Sequence, residues 1–176
     1  MNKKHYLLFA AMVVVFVSCK YKDFSKIAYT EPSPAPWENQ AISQVNKMKP
    51  HAHFIPYTSV EQARTEDKWQ SPMLQSLNGV WKFNLSQNPS ERPYWFFMDK
   101  FDTRGWKEIK VPANWELEGF DYPIYTNVKY PHKATPPEIQ EDYNPVGSYK
   151  RTFTIPENWK GNDVVLHIGA ASSMVN

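Results

Sequence analysis

Alternating apolar and polar side chains mark the clearest predicted strand of the chain. Trp81, Phe83 and Leu85 are apolar, whereas Lys82 and Asn84 between them are polar. Successive side chains of a β-strand point to opposite faces of the sheet. We therefore predict a half-buried strand whose three apolar residues face a core and whose two polar residues face water.

Other segments carry related β-type patterns. An Asn-Gly pair at 78–79 predicts a turn that starts the first strand. A second strand is predicted where Ile109 and Val111 alternate with a polar residue before Pro112. A third is predicted where Tyr149, Phe153 and Ile155 share one face, which Arg151 interrupts. The more apolar run at 164–168 is typical of a strand deeper in a sandwich.

Helical signals are weak by comparison. The only candidate covers residues 59–68, where Thr58 or Ser59 could cap the helix. The fold class predicted from these patterns is therefore all-β, with short strands joined by turns.

The first 18 residues are predicted to be a targeting segment. Lys3 and Lys4 precede an uncharged apolar run at 6–17, which is too short for a membrane-spanning helix of about 20 residues but fits the core of a signal peptide. The run ends at Phe-Val-Ser-Cys, which resembles a loose bacterial lipoprotein box and makes Cys19 the predicted lipidation site. A cleaved secretory signal with an incidental cysteine is the alternative.

The remaining chain divides into a tether and a domain. Residues 19–50 are polar and include the proline-rich stretch 31–36, which favours an extended conformation, so we interpret them as a tether and domain entry. Residues 51–176 are predicted to form one β-domain. Because Cys19 is the single cysteine, no disulfide can form within the chain.

Composition and length exclude several classes of protein. The chain has 176 residues, of which 41% are hydrophobic, 15% aromatic and 22% charged, as in ordinary globular proteins. A (β/α)₈ barrel needs at least about 200 residues, so this chain cannot contain one. The net charge of +2 gives no reason to expect a nucleic-acid partner.

Candidate chemistry is sparse. His51 and His53 share one face only if their segment is extended, and no zinc-type spacing is present, so no metal site is assigned. Glycine-rich phosphate loops and nucleophile elbows are absent from the sequence. Carboxylate pairs occur at Glu116 with Glu118 and at 141–142, but neighbouring surface carboxylates are common and nothing predicts a cleft that would hold a sugar between them.

Several motifs occur in an order that identifies a family resemblance. The motifs are PANWE at 112–116, GFD at 119–121 and PIYTNVKYP at 123–131, with further matches at 76–83, 144–149 and 153–156 and at Trp159. Together they resemble the N-terminal sugar-binding domain of glycoside hydrolase family 2 β-galactosidases. The resemblance covers roughly residues 37–176.

This resemblance implies a fold and a binding loop. The fold is a jelly-roll β-sandwich of the galactose-binding-domain type. The loop at 125–131 is expected to reach toward a barrel active site, where Asn127 contacts the galactosyl unit and Val128 forms an apolar wall beside it. For Tyr125 and Tyr130 we favour packing roles, and we assign Asn114 and Trp115 chiefly to loop packing.

The resemblance also implies what this sequence lacks. Relatives continue beyond the position of Asn176 into further strands, more domains and the barrel, so the sandwich is expected to be incomplete at its C-terminus. Both catalytic glutamates of these retaining hydrolases, and most of the family's metal-binding positions, lie in that continuation. No catalytic residue, metal or cofactor is therefore assigned here, and the isolated chain is expected to be poorly soluble and inactive.

The resulting prediction is an N-terminal fragment of an exported β-galactosidase. Its expected partners are a galactoside or oligosaccharide and the missing barrel, with membrane attachment only through a lipid anchor at the periplasmic or outer-membrane surface. Three alternatives stay open: a stand-alone carbohydrate-binding lipoprotein, a fragment completed by a separately encoded remainder, and a related activity such as β-glucuronidase.

Overall fold

The strands and helices are short and are separated by long irregular segments. A computed structural model describes residues 32–124, 127, 129, 132–171 and 175. The described elements are helix α1 (Val60–Ala63), strands β1 (Gly79–Ser86), β2 (Lys107–Val111) and β3 (Val146–Lys150), and 3₁₀ turns at Pro36–Glu38, Lys68–Gln70, Pro89–Glu91 and Glu157–Trp159. The described residues hold no long helix, which confirms the predicted all-β class.

The three strands form one open antiparallel sheet. Its order is β2-β1-β3, with Trp81 opposite Ile109 and Phe83 opposite Tyr149. Strand β1 begins at Gly79, whose φ of +129° lies in a region that residues with side chains rarely adopt. The predicted strand start at Gly79 and the first two predicted strands are therefore confirmed, whereas Asn78 before it is not part of a turn.

The core lies on the face of the sheet that carries Phe83. Phe83 is fully buried and Ile109 is 2% exposed. The Phe83 ring contacts Phe120, Tyr149 and Trp115, with centroid distances of 4.6, 4.7 and 6.1 Å. Full burial of a side chain of this size contributes about 1.5–3 kcal/mol to stability, so this aromatic cluster is a main stabilising feature of the sheet.

The opposite face is covered by the segment between β1 and β2. Lys150 Nζ donates hydrogen bonds to the carbonyl oxygens of Phe96 and Met98, at 2.8 and 2.5 Å. The Trp106 ring packs against Phe96 and Phe101, with centroids 5.8 and 5.9 Å apart. Residues 96–106 therefore form a second layer, held by one lysine and a group of aromatic rings.

One predicted strand extends too far and another is wrong. Strand β3 ends at Lys150, and the residues after it, including the 47% exposed Phe153, form no strand. The apolar run at 164–168 is also irregular, and Leu166 is 64% exposed. Among the described residues no strand pairs with either segment, so their backbone groups have no ladder to join and apolar content alone does not make them strands.

Arg151, the first residue after β3, contacts the segment that leads into β1. Its Nη1 atom donates hydrogen bonds to the carbonyl oxygens of Leu77 and Asn78, at 2.6 and 2.8 Å. The guanidinium group thus holds residues 77–78, directly before β1, against the end of β3.

The predicted helix is present but is much shorter than the predicted range 59–68. In α1 the Ser59 hydroxyl accepts a hydrogen bond from the backbone N–H of Gln62 at 3.2 Å, which confirms the predicted cap. Three residues beyond α1, Glu66 has a φ of 58°, a left-handed conformation that does not continue a helix. None of the helices in the described part of the chain is long and apolar enough to cross a membrane.

Part of the proline-rich entry segment packs on the domain. Ala35 is buried, and Glu38 accepts a hydrogen bond from the backbone N–H of Ile139 at 3.3 Å. The Arg92 guanidinium lies 5.2 Å from the centroid of the Trp37 ring. The proposed boundary between tether and domain stays a prediction, but residues 35–38 touch the domain.

Candidate functional site

The candidate sugar-binding loop follows strand β2, and its first half is anchored to the core. The chain turns at Asn114, whose carbonyl oxygen accepts hydrogen bonds from the N–H groups of Leu117 and Glu118, at 3.0 and 3.3 Å. Trp115 and Phe120 both pack on Phe83 of β1. The packing role assigned to Trp115 is therefore what the structure displays, whereas Asn114 is exposed and contributes its backbone carbonyl to the turn.

A second anchor lies directly before the predicted ligand residue. The Tyr143 hydroxyl donates a hydrogen bond to Asp121 Oδ1, and the backbone N–H of Tyr122 donates to the same oxygen at 2.8 Å. The rings of Tyr122 and Tyr143 stack with centroids 5.7 Å apart and an interplanar angle of 16°. This contact joins the loop after β2 to the segment that leads into β3.

The tyrosine hydroxyl of this anchor is held in its protonated form. Burial and, next in size, the hydrogen bond to the Asp121 carboxylate raise the pKa of Tyr143 well above its ordinary value. A protonated hydroxyl is the donor that the hydrogen bond to Asp121 requires.

Asn127 follows this anchor by a few residues. It lies at a bend and is exposed, so its amide is accessible to a ligand. Val128, Tyr125 and Tyr130 lie outside the described residues, as does the predicted lipidation site Cys19. The galactosyl contacts of Asn127 and Val128 stay predictions.

The four carboxylates considered from the sequence form no shared site among the described residues. Burial and, next in size, the negative charge of Glu116 raise the pKa of Tyr149. Asp142 accepts a hydrogen bond from the backbone N–H of Tyr143 at 3.0 Å. Glu118 and Glu141 are exposed.

Two histidines from distant parts of the sequence lie side by side. The rings of His53 and His167 have centroids 5.4 Å apart, whereas the His51 ring packs on Phe54 at 5.6 Å. Among the described residues no three His, Cys, Asp or Glu side chains gather as a metal site would require. The expectation that this chain carries no metal or cofactor stays a prediction.

Sequence reasoning missed the contact between Asp121 and Tyr143. Asp121 belongs to the GFD motif, but Tyr143 is 22 positions away and no periodic pattern connects the two. The missed bond between Glu38 and Ile139 spans 101 positions. Only information on which residues lie close together in space could have predicted either contact.

Comparison with known proteins bears on the same residues. The family model of the glycosyl hydrolases family 2 sugar binding domain matches residues 74–176, which include β1, the anchored loop and β3. Proteins named "Beta-galactosidase" from Priestia megaterium, Psychromonas ingrahamii and Halalkalibacterium halodurans are 40%, 41% and 40% identical to this chain over 86%, 70% and 71% of its length.

The chain is much shorter than these relatives. The matched region covers only 15%, 12% and 12% of the three relatives, respectively. The family model nevertheless matches more than half of this chain. The chain therefore belongs to glycoside hydrolase family 2 and comprises the sugar-binding β-sandwich domain of that family.

Proposed function

We propose that this chain is the sugar-binding part of an exported β-galactosidase, an enzyme that removes terminal β-D-galactosyl residues. The observation that carries the proposal is the identity of about 40% to proteins named β-galactosidase across most of the chain. In this proposal the chain supplies binding residues, and a catalytic barrel outside it supplies both catalytic carboxylates.

Asn127 is the residue we propose for contact with the galactosyl unit. An amide offers both a donor and an acceptor to sugar hydroxyls and has no charge to desolvate. Val128 would form an apolar wall beside it. The two anchors before Asn127, Trp115 on Phe83 and Asp121 with Tyr143, support this role because a held loop loses less conformational entropy when a ligand binds.

The catalytic step is assigned to residues outside this chain. Retaining glycosidases use one carboxylic acid to protonate the leaving oxygen and a second carboxylate to attack the anomeric carbon. We therefore expect no hydrolysis of p-nitrophenyl β-galactoside by the purified chain, and clear turnover would contradict this division of labour.

The decisive experiment uses the complete reading frame that contains these residues. Its purified product is expected to hydrolyse p-nitrophenyl β-galactoside in preference to p-nitrophenyl β-glucuronide. The Asn127→Ala variant should lower kcat/KM by about tenfold or more, because a hydrogen bond to the substrate is lost. Asn162→Ala, which alters an exposed turn after β3, is the matched control and should leave kcat/KM unchanged. A preference for the glucuronide, or equal effects of the two substitutions, would overturn the proposal.

Export and lipid attachment form the second part of the proposal. The charged start, the apolar run at 6–17 and the lipoprotein-like box at Cys19 support an acyl anchor at the periplasmic or outer-membrane surface. Fractionation of cells that express the wild type and Cys19→Ala tests it. The wild type should enter the membrane fraction and the variant should leave it; retention of the variant there would contradict the lipid anchor.

A further inference from the structure

An exposed aromatic ring lies on the loop that carries Asn127. Tyr122 is 59% exposed and precedes Asn127 by five positions. Two further apolar side chains of the same loop, Leu117 and Ile124, are 80% and 47% exposed. Apolar groups normally gain free energy when they leave water, so several of them exposed on a candidate binding loop point to a surface that a ligand covers.

The Tyr122 residue is held in place by its neighbours. Its ring stacks on the Tyr143 ring, with the centroids 5.7 Å apart and the planes 16° apart. Its backbone N–H donates to Asp121 Oδ1 at 2.8 Å, and the same oxygen accepts the Tyr143 hydroxyl. Tyr122 is therefore restrained in backbone and ring while more than half of it stays exposed. A restrained group loses less conformational entropy when a ligand covers it.

An open, uncharged aromatic ring suits the apolar face of a sugar. The face of such a ring carries partial negative charge, which attracts the polarised C–H groups on one side of a sugar ring. The family model of the sugar binding domain spans both Tyr122 and Tyr143. Among ligands with an apolar face, a carbohydrate is therefore the one that this loop favours.

The distance along the chain limits which sugar unit can reach this ring. An extended chain spans at most about 3.6 Å per residue, so Tyr122 lies no more than about 18 Å from Asn127. An oligosaccharide whose terminal galactosyl unit contacts Asn127 can cover that span with one of its next sugar units. Because the proposed enzyme removes the terminal unit, every further unit lies on the leaving side of the bond that is cleaved.

We propose that Tyr122 is a stacking platform for a sugar unit on the leaving side of that bond, and that it makes the site favour oligosaccharides over small galactosides. The inference rests on the proposed function, because it takes the loop of Asn127 to be the galactoside-binding loop. The Tyr122 ring contributes to binding of a longer substrate and has no contact with a substrate that carries only a methyl group in that position.

The test compares two substrates with the purified product of the complete reading frame. Methyl β-D-galactoside has no second sugar unit, whereas a β-linked galactotriose has two. Tyr122→Ala should lower kcat/KM for galactotriose about three- to tenfold, because one aromatic contact is lost. The same variant should leave kcat/KM for methyl galactoside unchanged. Tyr122→Phe keeps the ring and should behave as the wild type with both substrates.

Phe97→Ala is the matched control for removal of an exposed ring. Phe97 is 62% exposed, and its ring contacts that of Trp95 with centroids 5.7 Å apart. It lies in the layer formed by residues 96–106, outside the loop of Asn127. Its substitution should leave kcat/KM for both substrates unchanged, and a selective loss with galactotriose in this variant would contradict the assignment to Tyr122.

Tyr143→Phe separates a loosened loop from a lost platform. It keeps the ring stack and removes the hydrogen bond to Asp121, so it should lower kcat/KM for both substrates by the same factor. Near-UV circular dichroism checks that each variant is folded. If Tyr122→Ala does not fold, Tyr122→Leu replaces it, because leucine keeps an apolar group against Tyr143 but has no aromatic face.

The outcomes distinguish this inference from the proposed function. Failure of the wild type to hydrolyse either substrate would contradict the proposed function, and this inference with it. Hydrolysis of both substrates by the wild type, with no effect of Tyr122→Ala or the same loss for both, would overturn the platform alone. The same loss for both would mean that the ring supports the loop or contacts another part of the protein.

Discussion

At the scale of single residues, Gly147 shows how closely the core is packed. It lies opposite Leu85 in the register of β1 and β3. A Cβ atom added here would lie 2.5 Å from Trp115 Cζ3 and 2.8 Å from Phe83 Cε2. Both atoms belong to rings fixed in the aromatic cluster, so neither can move away without loss of packing.

We predict that Gly147→Ala lowers the free energy of unfolding by about 1–3 kcal/mol, because it overpacks the aromatic cluster. Urea unfolding followed by tryptophan fluorescence measures the change. Gly105→Ala is the control, since a Cβ there meets nothing within 4 Å, and its effect should stay within about 0.5 kcal/mol. Similar losses in both variants would contradict the packing account.

Asp102 and Arg104 form a local pair with a pH signature. Arg104 Nε donates to Asp102 Oδ1 at 2.9 Å and Arg104 Nη2 donates to Oδ2 at 2.7 Å. These side-chain bonds, followed by the bond from the Arg104 backbone N–H, lower the pKa of Asp102 to about 2 from 3.8. Because the folded-state pKa is lowered, the stabilising contribution is present above about pH 4 and is lost as the pH falls toward 2.

Titration of the Asp102 carboxyl carbon by NMR is expected to give a midpoint near pH 2. In Arg104→Gln the midpoint should rise toward the ordinary value, since the two charge-assisted bonds are gone while the backbone bond persists. A midpoint that does not move in the variant would show that the guanidinium group is not the cause.

At the scale of elements, the loop after β2 is held by contacts rather than by regular structure. Trp115 and Phe120 attach its first half to β1, and the bond from Tyr143 to Asp121 attaches its second half to the segment before β3. The loop is thus positioned by the central strand β1 and by the segment that leads into its neighbour β3.

We predict that Tyr143→Phe loosens this loop and destabilises the chain by about 1 kcal/mol, the net contribution of one hydrogen bond. Amide hydrogen exchange at Tyr122 should become faster, because its N–H donates to the freed Asp121 carboxylate. Tyr57→Phe is the control, since the Tyr57 hydroxyl has no hydrogen bond to another described residue. Unchanged exchange at Tyr122 would contradict the anchoring role.

At the scale of the whole molecule, several apolar side chains after β3 are exposed. Phe153 and Ile155 are 47% and 48% exposed, and Val165 and Leu166 are 56% and 64% exposed. These residues follow β3 in two nearby segments. Clustered exposed apolar groups promote self-association.

Leu166→Ser is therefore expected to reduce self-association of the chain, measured by sedimentation velocity, without changing the free energy of unfolding by more than about 0.5 kcal/mol. Val60→Ser is the control. Val60 lies in α1 and is 60% exposed, and its substitution should leave the sedimentation profile unchanged. Equal effects of the two variants on self-association, or a large loss of stability in Leu166→Ser, would contradict the solvent exposure of the run at 164–168.

The sequence by itself determined the features that depend on local spacing. The strand around Phe83, its start at Gly79 and the cap at Ser59 each depend on neighbours within four positions, and all three are confirmed. Lys82 and Asn84, predicted to face water, are instead half-buried. The ordered motifs at 112–131 likewise identified the family, which the family model confirms.

Only the tertiary structure decided where the longer contacts form. The apolar run at 164–168 has the composition of a strand, yet a strand needs a partner and no described strand pairs with it. The bonds from Tyr143 to Asp121 and from Lys150 to Phe96 span 22 and 54 positions. Such contacts depend on how separate segments meet in space, and the pattern of any one segment contains no information about the segment that it will meet.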